Sequence, residues 1–307
     1  MITALAGGVG AAKFLTGLAK NVNPKELTVV VNTGDDVEMY GLHVSPDLDI
    51  VSYTLAGIVD ETKGWGIRGD TFNFLDSLQR LGFETWFKIG DRDLATHVYR
   101  TIRLKEGLKL SQVTAEINAS LGLATKILPM TDDKFVTNVV TPGKTMHFQE
   151  YLVKRGARDV VLGVEFAGAS YAQPADGVLD AIENSELIVV CPSNPVVSIG
   201  TILQVQGIRS ALKRSKAKKV AISPIIAGAP VKGPADKLLR GLGLEVSAFS
   251  VAKLYADFLD FFVIDLVDAS EKTRVEQLGL QVKVTNTIMR NLDDKVQLAK
   301  YVLALSR

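Results

Sequence analysis

The 307-residue chain carries 35 basic and 34 acidic side chains for a net charge of +1, is 47% hydrophobic, and has one cysteine, Cys191. That balance excludes a protein that binds nucleic acid through global charge, and it excludes an intrachain disulfide or a cysteine-rich metal scaffold. At this length folding buries about 75% of the unfolded chain's surface, enough for one large α/β domain.

In chain order, the first strand is expected at 2–6, running straight into Gly7-Gly8-Val9-Gly10-Ala11-Ala12-Lys13 and a helix over 11–19. Further strand-like runs fall at 27–32, 159–166, 187–191, 219–223 and 261–264. Several are continuous Val, Ile and Leu, the pattern of strands covered on both faces of a parallel sheet. Helical periodicity is seen at 71–81, 94–104, 110–121, 177–184, 199–213, 234–241, 251–258 and 293–305. Strands alternating with helices predict a doubly wound, mostly parallel, Rossmann-like α/β sheet in a single domain over 1–307. The stretch of about 48–121 is mostly helical and predicts an inserted helical layer, while alternation over 133–151 predicts a short antiparallel excursion. No apolar run reaches the roughly 18 residues that span a bilayer, and a strand beginning at Ile2 leaves no space for a signal peptide. The expectation is a cytoplasmic protein without a membrane partner.

Candidate chemistry clusters where strands end. The glycine turn opens a helix, whose N-terminus presents unpaired amides and partial positive charge to an anion such as phosphate. Gly7, Gly8, Gly10 and Lys13 are the residues concerned. The turn is not a Walker A loop, and Lys13 stands where the third glycine of a dinucleotide fingerprint would be. After the second strand comes Asn32-Thr-Gly-Asp35-Asp36, whose paired carboxylates suit either a ribose hydroxyl or magnesium. Asp47 and Asp49 form a second carboxylate pair at a helix start, where the dipole already favours one anion. Ser193 and Asn194 lie between two prolines at another strand end, where the alternative to a ligand role is a helix cap, and Ser223-Pro224 lies at a third, where the alternative is a turn. The densest polar stretch is Lys88-Ile-Gly90-Asp91-Arg92-Asp93-Leu-Ala-Thr96-His97, too many charges for capping alone. Trp65, Trp86 and Tyr40 are candidates to stack a planar ring. His43, His97 and His147 lack metal-ligand spacing, which argues against a zinc site.

Taken together, Ala6-Gly-Gly-x-Gly10, Asn32-Thr-Gly-Asp-Asp36, Ser45-Pro-Asp-Leu-Asp49, Gly90-Asp-Arg-Asp-x-Ala-Thr-His97, His147-Phe-Gln149, Pro192-Ser-Asn-Pro-x-x-Ser198 and Ser223-Pro-Ile-Ile226 resemble the 2-phospho-L-lactate transferase (CofD) family. The resemblance runs in order to about Asp265; the tail after about Ser270 is too generic to align. It implies a magnesium-dependent transferase in the synthesis of the deazaflavin coenzyme F-420. A phospholactyl group would pass from lactyl-2-diphospho-5′-guanosine to the ribityl hydroxyl of Fo (7,8-didemethyl-8-hydroxy-5-deazariboflavin), with release of GMP. In that family the aspartate ending Pro-Asp-Leu-Asp and the basic residue before Gly-Asp-Arg-Asp contact Fo, which implies Asp49 and Lys88 here. Asp49 is also the candidate to assist deprotonation of the attacking hydroxyl. Gly7, Gly8, Gly10, Lys13, Ser193, Asn194 and Ser223 are expected around the guanine nucleotide, and Asp35, Asp36 and Asp47 around the metal. A homodimer is expected from the frequency of twofold oligomers. The alternative is a regulator of the gluconeogenesis-factor type, which shares the glycine start and binds nucleotide sugars without turnover; the segment from Gly90 to His97 argues for an acceptor site instead. A dehydrogenase is the weaker third reading, because the third glycine is missing.

Overall fold

The computed structural model describes residues 1–306. Seven strands form one all-parallel sheet: β1 (Ile2–Ala6), β2 (Leu27–Val31), β3 (Lys126–Pro129), β4 (Leu187–Val190), β5 (Lys218–Ile222), β6 (Phe261–Asp265) and β7 (Gln281–Thr285). Their spatial order is β7-β6-β5-β4-β1-β2-β3. β1 is an interior strand, with Ile2 paired to Leu27 on one side and to Leu187 on the other. The strands are apolar on both sides because both sides are covered. Ala4, Ala6, Val29 and Val31 enter one hydrophobic cluster, while the intervening Leu5 and Val30 enter another.

The first cluster is completed by α1 (Gly8–Ala19), α2 (Pro46–Leu55) and the C-terminal helix Leu292–Ala304, through residues such as Phe14, Leu48 and Leu298. The second is closed by the later helices, through Ile182, Ile202, Leu238 and Val251, and by a small sheet carrying Phe135 and Val139. Between β2 and β3 the chain makes the hairpin Val37–Met39/Leu42–Val44, then α2, α3 (Asn73–Arg80), α4 (Asp91–Lys105) and α5 (Leu110–Ser120). The expected helical layer is therefore present and is prefaced by a hairpin.

Two expectations need correction. The run at 159–166 is not a strand of the parallel sheet. Its ordered part is Gly163–Ala167, which pairs antiparallel with Val136–Val140 beside Thr145–His147 and alternates in exposure because one face stays open. The single helix expected at 199–213 is two, Ile199–Gln204 and Ile208–Arg214, separated where Gly207 adopts φ +82°. The tail after about Ser270 supplies β7, whose lysine and threonine obscure the strand pattern, and the helix expected at 293–305, which packs against α1.

The topology fixes where a ligand can enter. β1, β2 and β3 build the sheet outward in one direction, and β4 returns to the opposite side of β1. The turns after β1 and β4 therefore diverge, and a crevice opens between them at the strands' carboxyl ends.

One packing contact in this frame is unusually close. A Cβ built on Gly17 of α1 would run into the backbone carbonyl of Lys295 and come within 2.9 Å of the Val296 nitrogen. Gly17→Ala should force the two helices apart and cost about 1–3 kcal/mol, read as a lowered urea midpoint. An unchanged midpoint would show that the close approach is dispensable.

Candidate active site

The crevice at the β1/β4 switch is a cavity of about 760 Å³. One end is floored by the glycine turn. Gly7, the residue before α1, is extended, and Gly8 takes φ +69°, a left-handed value that an L side chain rarely adopts. Gly10 lies so close to the Pro192 carbonyl that a Cβ would collide with it, which draws the β1 and β4 turns together. The Gly7 amide donates to Ser193 Oγ at 3.4 Å and the Gly8 amide to Asp47 Oδ1 at 2.9 Å. Val9 and Gly10 follow within the first turn, where no helical carbonyl four residues back is available to their amides. Lys13 lines the same end. Asn194 Oδ1 accepts from the amides of Val196 and Val197, which leaves its amide nitrogen for a ligand. Ser223 also lines the cavity, but its hydroxyl is committed to both the carbonyl and the amide of Ile225. It closes a turn.

Two carboxylates face this end. Asp47 is buried on α2 and accepts from Gly8 and from Asn32 Nδ2, each at 2.9 Å. Asn32 in turn accepts from the Gly34 amide, so a single side chain aligns the turn after β2 with the glycine turn. Asp35 lines the cavity, is 4% exposed, and its Oδ1 has no hydrogen-bond partner. Burial pushes the Asp35 carboxyl well above the usual carboxylate range, and the nearby charge of Asp47 adds to the rise. Burial likewise pushes Asp47 up to about 6, although Asn32 and Gly8 oppose it. Among the described residues no three His, Cys, Asp or Glu side chains converge to hold a metal. The Asp35 and Asp47 pair nonetheless fits a magnesium ion, which binds through one or two carboxylates and fills its shell with water and phosphate. Asp36 does not line the cavity: its Oδ2 accepts from Ser45 Oγ at 2.7 Å and lies 3.0 Å from His43 Nε2, while its buried Oδ1 has no hydrogen-bond partner. His147 secures the same loop by donating through Nε2 to the Asp36 carbonyl, while its Nδ1 accepts from Gln149.

The other end is built by α2, α4 and the loops between them. Lys88 and Trp65 line it with Phe87, Tyr53, Asp49, Asp93 and His97. Trp86 and Tyr40, the other two candidate aromatics, pack instead into a small core with Ile89 and Met39. Asp49 makes a two-point ion pair with Arg100, itself 2% exposed. Arg100 also donates to His97 Nδ1 at 3.2 Å, which leaves the ring proton on Nε2, 3.3 Å from Asp93 Oδ1. Tyr53 donates to the same Asp93 oxygen at 2.8 Å. Burial pushes Asp93 upward, but His97, Tyr53 and Arg100 together hold it below the usual range.

The polar stretch at 88–97 thus divides by function. Asp91 caps α3 by accepting from Thr71, Asn73 and Phe74, and these bonds, the Thr71 hydroxyl first, bring it down to about 2. Asp70 returns the favour to α4 by accepting from the amides of Arg92 and Asp93. Asp93 and His97 enter the buried network, and only Lys88 remains exposed to the cavity, without an ion pair among the described residues. Lys232 and Arg290 also line the cavity. Sequence reasoning missed both; Lys232 is marked only by the Gly233-Pro234 turn beside it, and Arg290 lies in the tail.

The sequence matches the family model described as 2-phospho-L-lactate transferase CofD over residues 2–299. It is 42% identical to the 2-phospho-L-lactate transferase of Methanocaldococcus jannaschii, covering 99% of this chain and 97% of that one. It is 43% identical to the phosphoenolpyruvate transferase of Streptomyces griseus, covering 99% and 98%. The fold is similar to that of a UPF0052-family protein from Bacillus halodurans, with a TM-score of 0.64 over 98% of both chains at 16% identity.

The unpaired carboxylates give this site a measurable cost. A raised carboxyl pKa means that the folded state binds more protons than the unfolded chain, so stability falls as pH rises from the ordinary carboxylate value to the raised one, about 6 for Asp47. Asp35→Asn should therefore raise the melting temperature near pH 7.5 by a few degrees, on the order of 1 kcal/mol, with the gain vanishing near pH 4. A variant less stable than wild type at pH 7.5 would mean that Asp35 is already compensated.

Proposed function

The chain belongs to the 2-phospho-L-lactate transferase CofD family and is a transferase, and from that premise we propose that it passes a phospholactyl group from lactyl-2-diphospho-5′-guanosine to the ribityl hydroxyl of Fo. The observation that carries this reading is the continuity of the cavity. Its glycine-turn end suits a nucleoside diphosphate, and its Trp65, Phe87 and Lys88 end suits a planar, hydroxyl-bearing ring. A nucleotide sensor would need the first end alone.

In the proposed reaction the hydroxyl oxygen of Fo bonds to the phosphorus that carries the lactyl group. The bond from that phosphorus to the bridging oxygen breaks, GMP leaves with the oxygen, and the hydroxyl proton passes by way of Asp49 to solvent. Transfers of this kind depend mainly on positioning and charge neutralisation. The amides of the glycine turn and Lys13 orient the diphosphate. Asp35 and Asp47 would hold magnesium, which when bound offsets negative charge on the diphosphate oxygens. Asp49 accepts the hydrogen bond of the attacking hydroxyl. Its ion pair with Arg100 fixes its direction. Lys88 donates to a polar edge of the deazaflavin. The lactyl group is the finer part of the proposal, and competition between lactyl and enolpyruvyl donors decides it.

Because Asp49 neutralises a buried arginine, Asp49→Ala should cost about 3–5 kcal/mol of stability, far beyond the ~1 kcal/mol of a lost helix cap. The informative pair is Asp49→Asn and Lys88→Ala. Both should weaken Fo binding by roughly ten- to a hundredfold while GDP affinity stays near wild type, measured by deazaflavin fluorescence and by calorimetry. Wild-type Fo affinity in both variants would place the acceptor elsewhere.

Chelation should abolish turnover and magnesium should restore it. Asp35→Asn should need a higher magnesium concentration for half-maximal rate. Full turnover in excess chelator would remove the metal from the reaction.

A further inference from the structure

Two lysines converge on the glycine turn, and neither has a carboxylate partner. Lys13 projects from the second turn of α1 into the cavity. Lys232 follows the short hairpin Ile225–Ile226/Ala229–Pro230 beyond β5 and approaches from the opposite wall. A Cβ built on Gly64 would lie 2.9 Å from Lys232 Nζ and 3.4 Å from Val9 Cγ1, so the ammonium stands beside the glycine turn itself. Its one hydrogen bond is a long contact of 3.4 Å to the Lys63 carbonyl. Among the described residues neither lysine enters an ion pair, whereas cations elsewhere on the surface, such as Lys63, Lys109, Lys144 and Lys154, do so. Burial, and then the charge of Lys13, press Lys232 below the ordinary lysine range.

Like charges held together at the edge of a cavity repel, and an anion placed between them converts that repulsion into attraction on both sides. Of the two carboxylates at this end, Asp47 already accepts from Gly8 and Asn32, and Asp35, although its Oδ1 lacks a partner, forms no ion pair with either lysine. The missing counter-charge must come with the ligand. We propose that Lys232 is a second phosphate-binding cation, which closes on the outer phosphate of a nucleoside diphosphate from the side opposite Lys13. This inference rests on the reading of the glycine-turn end as the donor site. It adds a specificity: a diphosphate reaches both cations, whereas a monophosphate held at the glycine turn reaches Lys13 alone. It also accounts for release of the monophosphate product, which Lys232 no longer retains.

The test is calorimetric titration of the full chain with GDP and with GMP, for wild type, Lys232→Ala, Lys232→Gln and Lys232→Arg. Lys232→Ala and Lys232→Gln should lose roughly ten- to a hundredfold in GDP affinity. Their GMP affinity should fall by less than about threefold, and Lys232→Arg should keep most of the GDP affinity. The ligand-free melting temperature of the neutral variants should not fall, since the substitution removes a repulsion. Equal losses for GDP and GMP, or no loss for either, with wild-type GDP binding intact, would overturn the role of Lys232 and leave the donor site standing. Absence of GDP binding by the wild-type chain would overturn both.

Discussion

A parallel sheet forces every strand to end on the same edge, and in this chain the reversal of winding at β1 turns that edge into a crevice. All that follows depends on how the two diverging turns are held at the right separation. Gly10 does so by lying against the Pro192 carbonyl, at a distance only a residue without a side chain permits. Asp47 then ties α2 and the turn after β2 to the same place through Gly8 and Asn32. Four segments are thereby registered by one close contact and one carboxylate.

The carboxylates around this point show how environment decides role. Asp47 and Asp49 are two residues apart on α2 and both are buried. Asp49 meets a buried arginine and is locked as an ion pair, while Asp47 meets only amide donors and is driven upward by burial. Asp35, with an oxygen left without a partner, sits in an energetically unfavourable state that a cation would relieve. The lysines Lys13 and Lys232 carry the opposite sign at the same end. Strain of both signs beside one glycine turn is the electrostatic image of a ligand that brings anionic oxygens and a divalent ion together.

The far end of the cavity is held differently. There α3 and α4 cap one another through Asp91 and Asp70, so the loop carrying Lys88 leaves a rigid corner. The buried chain Asp49–Arg100–His97–Asp93–Tyr53 fastens α4 to α2 and leaves Asp49 facing the cavity in a fixed direction. Polar residues that look like surplus charge in the sequence are consumed in building the support, which is why few of them remain free to touch a ligand.

The sequence by itself determined what is local or repeated at short range. The glycine turn after β1, the buried parallel strands, the helical layer after β2 and the family motifs are each written within a few consecutive residues. Only the tertiary structure decided which of the motif residues share a cavity. It put Asp35 in the cavity lining and tied Asp36 to Ser45 and His43, and it gave the Ser223 hydroxyl to its own turn. It brought Arg100 to Asp49 across 51 residues and Lys232 to the glycine turn from beyond β5, pairings that carry no local pattern. It also showed that the strand at 159–166 belongs to another sheet, since an apolar run records burial but not its partner. Local conformation follows from nearest neighbours along the chain, whereas charge pairing and burial follow from neighbours in space, and the second set exists only once the sheet has closed.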